Sequence, residues 1–192
     1  MATPPKDLRE WIALLEREGE LRRITAEVDP DLEITEIVDR VVKSGGPALF
    51  FESPKGSRHP LLINQFGTER RMCLALGVET LDDAAAKLGD VLDMQPPHGL
   101  VEKVKGLLKL KSVADSLPKT VSKGPCQEIV LEGDDVDLSV FPIQRCWPGD
   151  PAPFITLPAV ITKDPRSGVR NLGMYRMQVI DGRSTFMHWQ MH

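Results

Sequence analysis

Asn171 and His192 carry oxygen and nitrogen donors of the kind divalent cations take, and the stretch between them reads as a β hairpin. Asp181-Gly182 separates two alternating runs, NLGMYRMQVI and RSTFMHWQMH. A type I′ turn needs positive φ at both central residues, which Asp and Gly tolerate best. With a two-residue loop, Ile180 faces Arg183, facing residue numbers sum to 363, and Asn171 faces His192. Directly opposed residues hold their Cβ atoms about 4.5–5.5 Å apart on one face, close enough for an amide oxygen and an imidazole to share a cation. His188 and Gln190 fall on that face, with Tyr175 opposite His188. An octahedral Mg or Mn site also asks for a carboxylate and further oxygens, and no acidic residue shares the face. The third ligand is therefore remote in sequence or outside the chain. An Asn and a His on a strand are also ordinary polar surface groups, and spacing alone leaves both readings open.

Other chemistry is thinner. The sequence holds no GxGxxG fingerprint, P-loop or GxSxG elbow. Cys146 beside Trp147 reads as a nucleophile next to an aromatic or as a buried structural thiol, and no signal for a base accompanies it. His59 and His98 sit beside prolines in loop-like stretches and read as structural or solvated.

The elements that must position these residues follow from periodicity. Leu8, Trp11, Ile12 and Leu15 form a helical stripe ending near Gly19, and Ile34, Ile37, Val38, Val41 and Val42 form a second, stopped by Gly45-Gly46-Pro47. Residues 48–53 and 61–66 read as buried strands, and helices are expected over about 68–76 and from an N-cap at Thr80 through Leu88. MQPPHG breaks the pattern after residue 93 and LVEKVKGLLKLKSVADSL restores a helical one before Pro118. Beyond that the texture is β: QEIVLEG, FITLPAVITKDP, NLGMYRMQVID and STFMHWQMH, with turns at Asp164-Pro165, Ser167-Gly168 and Asp181-Gly182. A boundary near 118–125 divides an α/β domain, 1–120, from a β domain, 121–192.

Composition narrows the partners. With 24 basic against 28 acidic residues, the net charge of −4 argues against nucleic acid and anionic membranes and favours a small ligand. No run nears the roughly 18 apolar residues of a membrane span. The N-terminus resembles no targeting signal, and three widely spaced cysteines indicate neither a disulfide framework nor a zinc site. A cytoplasmic protein with reduced thiols is expected.

Several blocks together, GELRRITAEVDPDLEITEIVDR, GGPALFFESPKG, CQEIVLEGDDVDLSVFPIQRCWPGD, FITLPAVITKDPRSGVRNLGMYRMQ and MHWQMH, resemble the N-terminal part of the UbiD family of carboxy-lyases, the decarboxylases that use prenylated FMN. The resemblance runs from about Leu8 to the last residue and is nearest to the 4-hydroxybenzoate branch of quinone biosynthesis. It implies an α/β N-terminal domain followed by the start of a mainly antiparallel split β-barrel like that of flavin reductases. It also implies reversible, non-oxidative decarboxylation of an aromatic or α,β-unsaturated acid, the cofactor serving as electron sink as CO2 leaves.

By the same resemblance, Asn171 and His192 bind a Mn-type ion that bridges to the cofactor phosphate, with room for a monovalent cation beside it. Met174, Tyr175, Arg176, His188, Trp189 and Gln190 match segments lining the flavin, and Arg176 matches a catalytic arginine whose fork suits a substrate carboxylate. Strict alternation places Arg176 opposite Asn171, so either a bulge near Gly173 rotates the strand or the two address the site from different sides. Implied partners are a small aromatic acid, a flavin prenyltransferase that supplies the cofactor, and further copies of the full-length chain. Family members run to several hundred residues, so this chain looks like an N-terminal fragment that is inactive and free of metal and flavin when isolated. The rival reading is a flavin-binding or assembly module without catalysis.

Overall fold

The computed structural model describes residues 3–92 and 119–188. They divide into two compact units, one of Leu8–Thr68 with Leu131 onward, the other of the residues before Leu8 with Glu69–Val130.

In the first unit, α1 (Leu8–Arg17) buries Trp11, Leu14 and Leu15, while Leu8, at the first helical position, is exposed. The arc is thus turned by one residue from the expected stripe. Gly19 ends the helix at φ 71°, its N–H reaching the Glu16 carbonyl at 3.1 Å and Glu20 N–H the Leu15 carbonyl at 2.8 Å. This is the left-handed cap that glycine supplies without steric cost. The same pattern closes α2 (Glu33–Lys43): Gly45 sits at φ 67°, and a Cβ on Gly46 would lie 2.7 Å from Val41 Cγ1.

Strands β1 (Leu21–Val28) and β2 (Ala48–Pro54) flank α2 in sequence and pair in parallel, and β3 (Leu61–Ile63) adds antiparallel to β2. This is a βαβ unit with β2 in the middle. Ile34 and Val38 of α2 pack with Val28, Leu49 and Phe51 into its core. Strand β1 has no counterpart among the periodic runs because it is mostly exposed and rich in Arg, Thr and Glu. The expected 61–66 strand stops at Ile63: Asn64 turns to φ 58° and its amide donates to the Pro47 carbonyl at 3.0 Å. In the second unit, α3 (Glu69–Leu76) and α4 (Leu81–Leu92) lie where expected, and Thr80 Oγ1 accepts from Asp83 N–H at 3.2 Å.

The split barrel is overturned. The described strands after residue 119 are β4 (Phe154–Ile155), β5 (Ala159–Lys163), β6 (Arg170–Met174), β7 (Met177–Val179) and β8 (Thr185–Met187). They form two separate antiparallel sheets, β4-β7-β8 and β5-β6. Closure needs every strand bonded on both sides. Here the chain leaves one sheet at Thr156–Pro158 and the other at Tyr175–Arg176, and strands of two to five residues offer few bonds for a circuit. The expected first β run forms no strand either: Ile129 and Val130 lie outside regular structure, 80% and 63% exposed.

Candidate functional site

The hairpin exists, but its loop differs from the expected one. Ile180 N–H donates to the Ser184 carbonyl at 2.9 Å and Val179 faces Thr185, so the loop holds three residues and facing numbers sum to 364. Neither Asp181 nor Gly182 has positive φ, so there is no type I′ turn. The Asp181 carboxylate instead accepts from Arg183 N–H at 2.8 Å, which holds its pKa below the usual carboxylate range. The loop is docked on residues 134–139. Gly182 O accepts from Leu138 N–H at 2.7 Å, and Arg183 Nη2 donates to Asp134 Oδ1 at 2.9 Å. A Cβ at Gly182 would meet Asp137 Oδ1 at 2.9 Å. What crowds Gly182 is thus a neighbouring side-chain oxygen, a different reason for a glycine from the one its place in a DG pair suggests.

A shift of one residue turns every side chain to the other face, so the pairing of Asn171 with His192 by hairpin register does not hold. Asn171 lies in β6, opposite Thr162 of β5. His188 pairs its N–H with the Arg176 carbonyl at 3.2 Å, where Tyr175 was expected. Trp189, Gln190 and His192, like His98, lie outside the described residues.

The structure brings together the N-x-G-x-Y-R segment itself. The β5-β6 register runs without a bulge through Gly173, and the chain leaves the strand at Tyr175–Arg176. Tyr175 folds back over Gly173, so that Asn171 Nδ2 donates to its hydroxyl at 3.0 Å. Asn171 Oδ1 has no partner among the described residues. Arg176 goes the other way: its guanidinium lies 4.3 Å above the ring of Phe154 in β4, a cation–π contact that fixes the fork in the neighbouring sheet. Asn171 therefore lies in one sheet, while Arg176, between β6 and β7, rests its side chain on the other. Met174, at the end of β6, is 69% exposed, and its pairing partner is Ala159.

Phe154 escaped the sequence reading, as did Gln144. Gln144 is only 7% exposed, its Nε2 has no hydrogen-bond partner among the described residues, and it lines a cavity of about 640 Å3 with Arg9, His59, Phe141, Phe154 and Thr156. The sequence signal was slight: one amide inside the apolar stretch FPIQ. His59 stacks on Phe141, with ring centroids 5.2 Å apart. Cys146 is half-buried in a groove beside Thr35 and Trp147 that no histidine lines among the described residues. Among the described residues no three of His, Cys, Asp and Glu gather as a metal-holding group.

Residues 12–90 match the domain family described as 3-octaprenyl-4-hydroxybenzoate carboxy-lyase N-terminal domain, and residues 119–192 the Rift-related domain of the same carboxy-lyase. A protein of Archaeoglobus fulgidus is 51% identical over 187 residues, which are 97% of this chain and 38% of the relative. Among solved structures, an evolved dimeric form of the UbiD-class enzyme HmfF from Pelotomaculum thermopropionicum in complex with prFMN superposes with a TM-score of 0.73 at 28% identity, over 95% of this chain and 38% of that one. The closed form of vanillic acid decarboxylase from Sedimentibacter hydroxybenzoicus gives 0.76 at 28% identity, over 97% and 37%. The chain thus spans less than two fifths of each of these proteins.

Proposed function

From its membership of the UbiD family of carboxy-lyases, to which this chain belongs, we propose that the full-length protein catalyses reversible, non-oxidative decarboxylation of an aromatic or α,β-unsaturated acid, a hydroxybenzoate in the first instance. The observation that carries the reading is the N-x-G-x-Y-R segment, in which Asn171 and Arg176 are each fixed by a specific contact, to Tyr175 and to Phe154.

The residues present fit the implied groups. Asn171 offers a neutral hard oxygen, the donor that a Mn-type ion takes, and in this reading His192 is its companion. Met174, Tyr175, Arg176, His188, Trp189 and Gln190 would hold prenylated FMN. When bound, that cofactor supplies an electron sink for the bond between the acid's carbon and the departing CO2. Arg176, stacked on Phe154, presents its planar fork without a large entropy cost on binding. It orients the substrate carboxylate by charge-assisted hydrogen bonds. The attraction weakens as the carboxylate becomes neutral CO2, so Arg176 serves alignment rather than retention.

In the same reading the domain division is 1–120 and 121–192, the protein is cytoplasmic and homo-oligomeric, and a flavin prenyltransferase supplies its cofactor. The test is CO2 release by full-length protein produced with a flavin prenyltransferase, on 4-hydroxybenzoate, a prenylated hydroxybenzoate and cinnamate. Release from the hydroxybenzoates is expected. Release confined to cinnamate overturns the substrate, and release from none overturns the reaction.

A further inference from the structure

We infer that the Tyr175 hydroxyl is a positioning group that, by accepting from the Asn171 amide nitrogen, holds the amide with its oxygen turned to a bound cation. The inference rests on the reading of Asn171 as a metal ligand. A side-chain amide has two ends of nearly equal shape: the oxygen can ligate a hard cation, and the NH2 cannot, because it presents only donors. An exposed Asn turns about its last torsion with little preference, and one orientation is useless to a metal. Asn171 is exposed, yet its nitrogen is committed to the Tyr175 oxygen at 3.0 Å, and its carbonyl oxygen is left without a partner among the described residues.

The contact is built into the backbone. Residues 171 and 175 are four apart, too distant to meet along a straight strand at roughly 3.3 Å per residue. They meet because β6 ends at Met174 and the tyrosine ring folds back across Gly173. A Cβ at Gly173 would lie 2.5 Å from Tyr175 Cε2 and 2.9 Å from Cζ, so any side chain there would expel the ring. Asn, Gly and Tyr at this spacing thus form one device: a ligand, the space to reach it, and the acceptor that orients it. Groups that orient a ligand from behind commonly matter to metal affinity.

The experiment titrates Mn2+ into metal-free full-length protein and reads free Mn2+ by its six-line electron paramagnetic resonance spectrum. Tyr175→Phe keeps the ring and removes the acceptor, and affinity should fall about three- to tenfold. Asn171→Asp presents oxygen at both ends, so adding Tyr175→Phe to it should change affinity less than about twofold, which makes the pair a double-mutant cycle. Gly173→Ala, which displaces the ring and keeps the hydroxyl, should weaken Mn2+ binding in the Asn171 background as Tyr175→Phe does. Unchanged affinity in Tyr175→Phe overturns the inference, and so does an equal loss in both backgrounds, which would assign Tyr175 a structural or ligating role. Wild-type protein that binds no Mn2+ overturns the ligand reading itself, and is recognised as such before any variant is compared.

Discussion

Asp31 holds the Arg145 guanidinium by two hydrogen bonds, 2.7 Å from Nε and 3.0 Å from Nη2, across 114 residues of sequence. The backbone joins in, with Leu32 N–H donating to the Arg145 carbonyl at 3.0 Å. This fork ties the start of α2 to the strap that leads into β4, and it holds Leu32 at φ 69°, a conformation costly for a branched side chain. The pairing keeps Arg145 protonated even more firmly than usual. Arg145→Lys keeps the charge and loses the planar fork. The thermal midpoint should fall by about 1–3 °C, as for a partly exposed pair. The gap to wild type should narrow in 1 M salt; a gap that salt leaves unchanged would assign the effect to packing.

Phe51 and Leu49 are 0% and 1% exposed between α2 and the sheet. Phe51→Ala should cost about 3–5 kcal/mol in urea unfolding, the transfer free energy plus the cavity left behind. Phe186→Ala, at a side chain 66% exposed, should stay within about 0.5 kcal/mol. Equal costs would mean that the burial differs in solution.

Gly182 and Asp137 should behave as a pair. Gly182→Ala places a methyl 2.9 Å from Asp137 Oδ1 and should destabilise by about 1–2 kcal/mol through overpacking rather than backbone strain. In a background of Asp137→Ala the oxygen is gone and the penalty should shrink below about 0.5 kcal/mol. Urea midpoints of the four proteins decide it.

Acid should loosen the β turns first. The Asp164 carboxylate accepts from Ser167 and Arg166 N–H, both at 2.7 Å, and these bonds hold its pKa down. Asp181 is held down chiefly by Arg183 N–H, and Asp137 chiefly by the Ser139 hydroxyl and N–H. A folded pKa below the unfolded value of about 3.9 means stability that is fully present above pH 4 and lost as pH falls through the folded values. Protection of the amides at 166–168, taken relative to the intrinsic exchange rate at each pH, should therefore fall below pH 4. Asp164→Asn keeps an acceptor without a charge, so it should flatten that dependence; a profile as steep as wild type would put the acid sensitivity elsewhere.

Arg176→Lys in the cofactor-loaded full-length protein should lower kcat/KM for a hydroxybenzoate by about a hundredfold, since an ammonium keeps the charge and gives up the bidentate geometry and the stack on Phe154. Circular dichroism should be unchanged. A loss under threefold would remove Arg176 from substrate alignment.

What the sequence determined alone is what short-range interactions decide. Gly19 and Gly45 end their helices because a left-handed cap is a property of one residue and the turn before it, and Thr80 starts α4 because its hydroxyl meets an N–H three residues on. The hairpin at Asp181-Gly182 was legible as a hairpin for the same reason. Its loop length was not, because residues 134–139 hold it, and those lie more than 40 positions away. In the run NLGMYRMQVI the apolar residues sit at even positions, Leu172 and Met174, and then at odd ones, Met177 and Val179, and that change of phase falls where the chain changes sheets, at Tyr175–Arg176. Alternation records which residues share a face and carries nothing about which strand lies alongside. Strand partners are chosen by burial and by hydrogen bonds between distant segments, so the meeting of Asn171 with Tyr175, and the parting of both from the sheet on which the Arg176 side chain rests, belong to the tertiary structure. Gly173 was a second local hint, a glycine inside a strand pattern marking a place where something approaches the backbone closely.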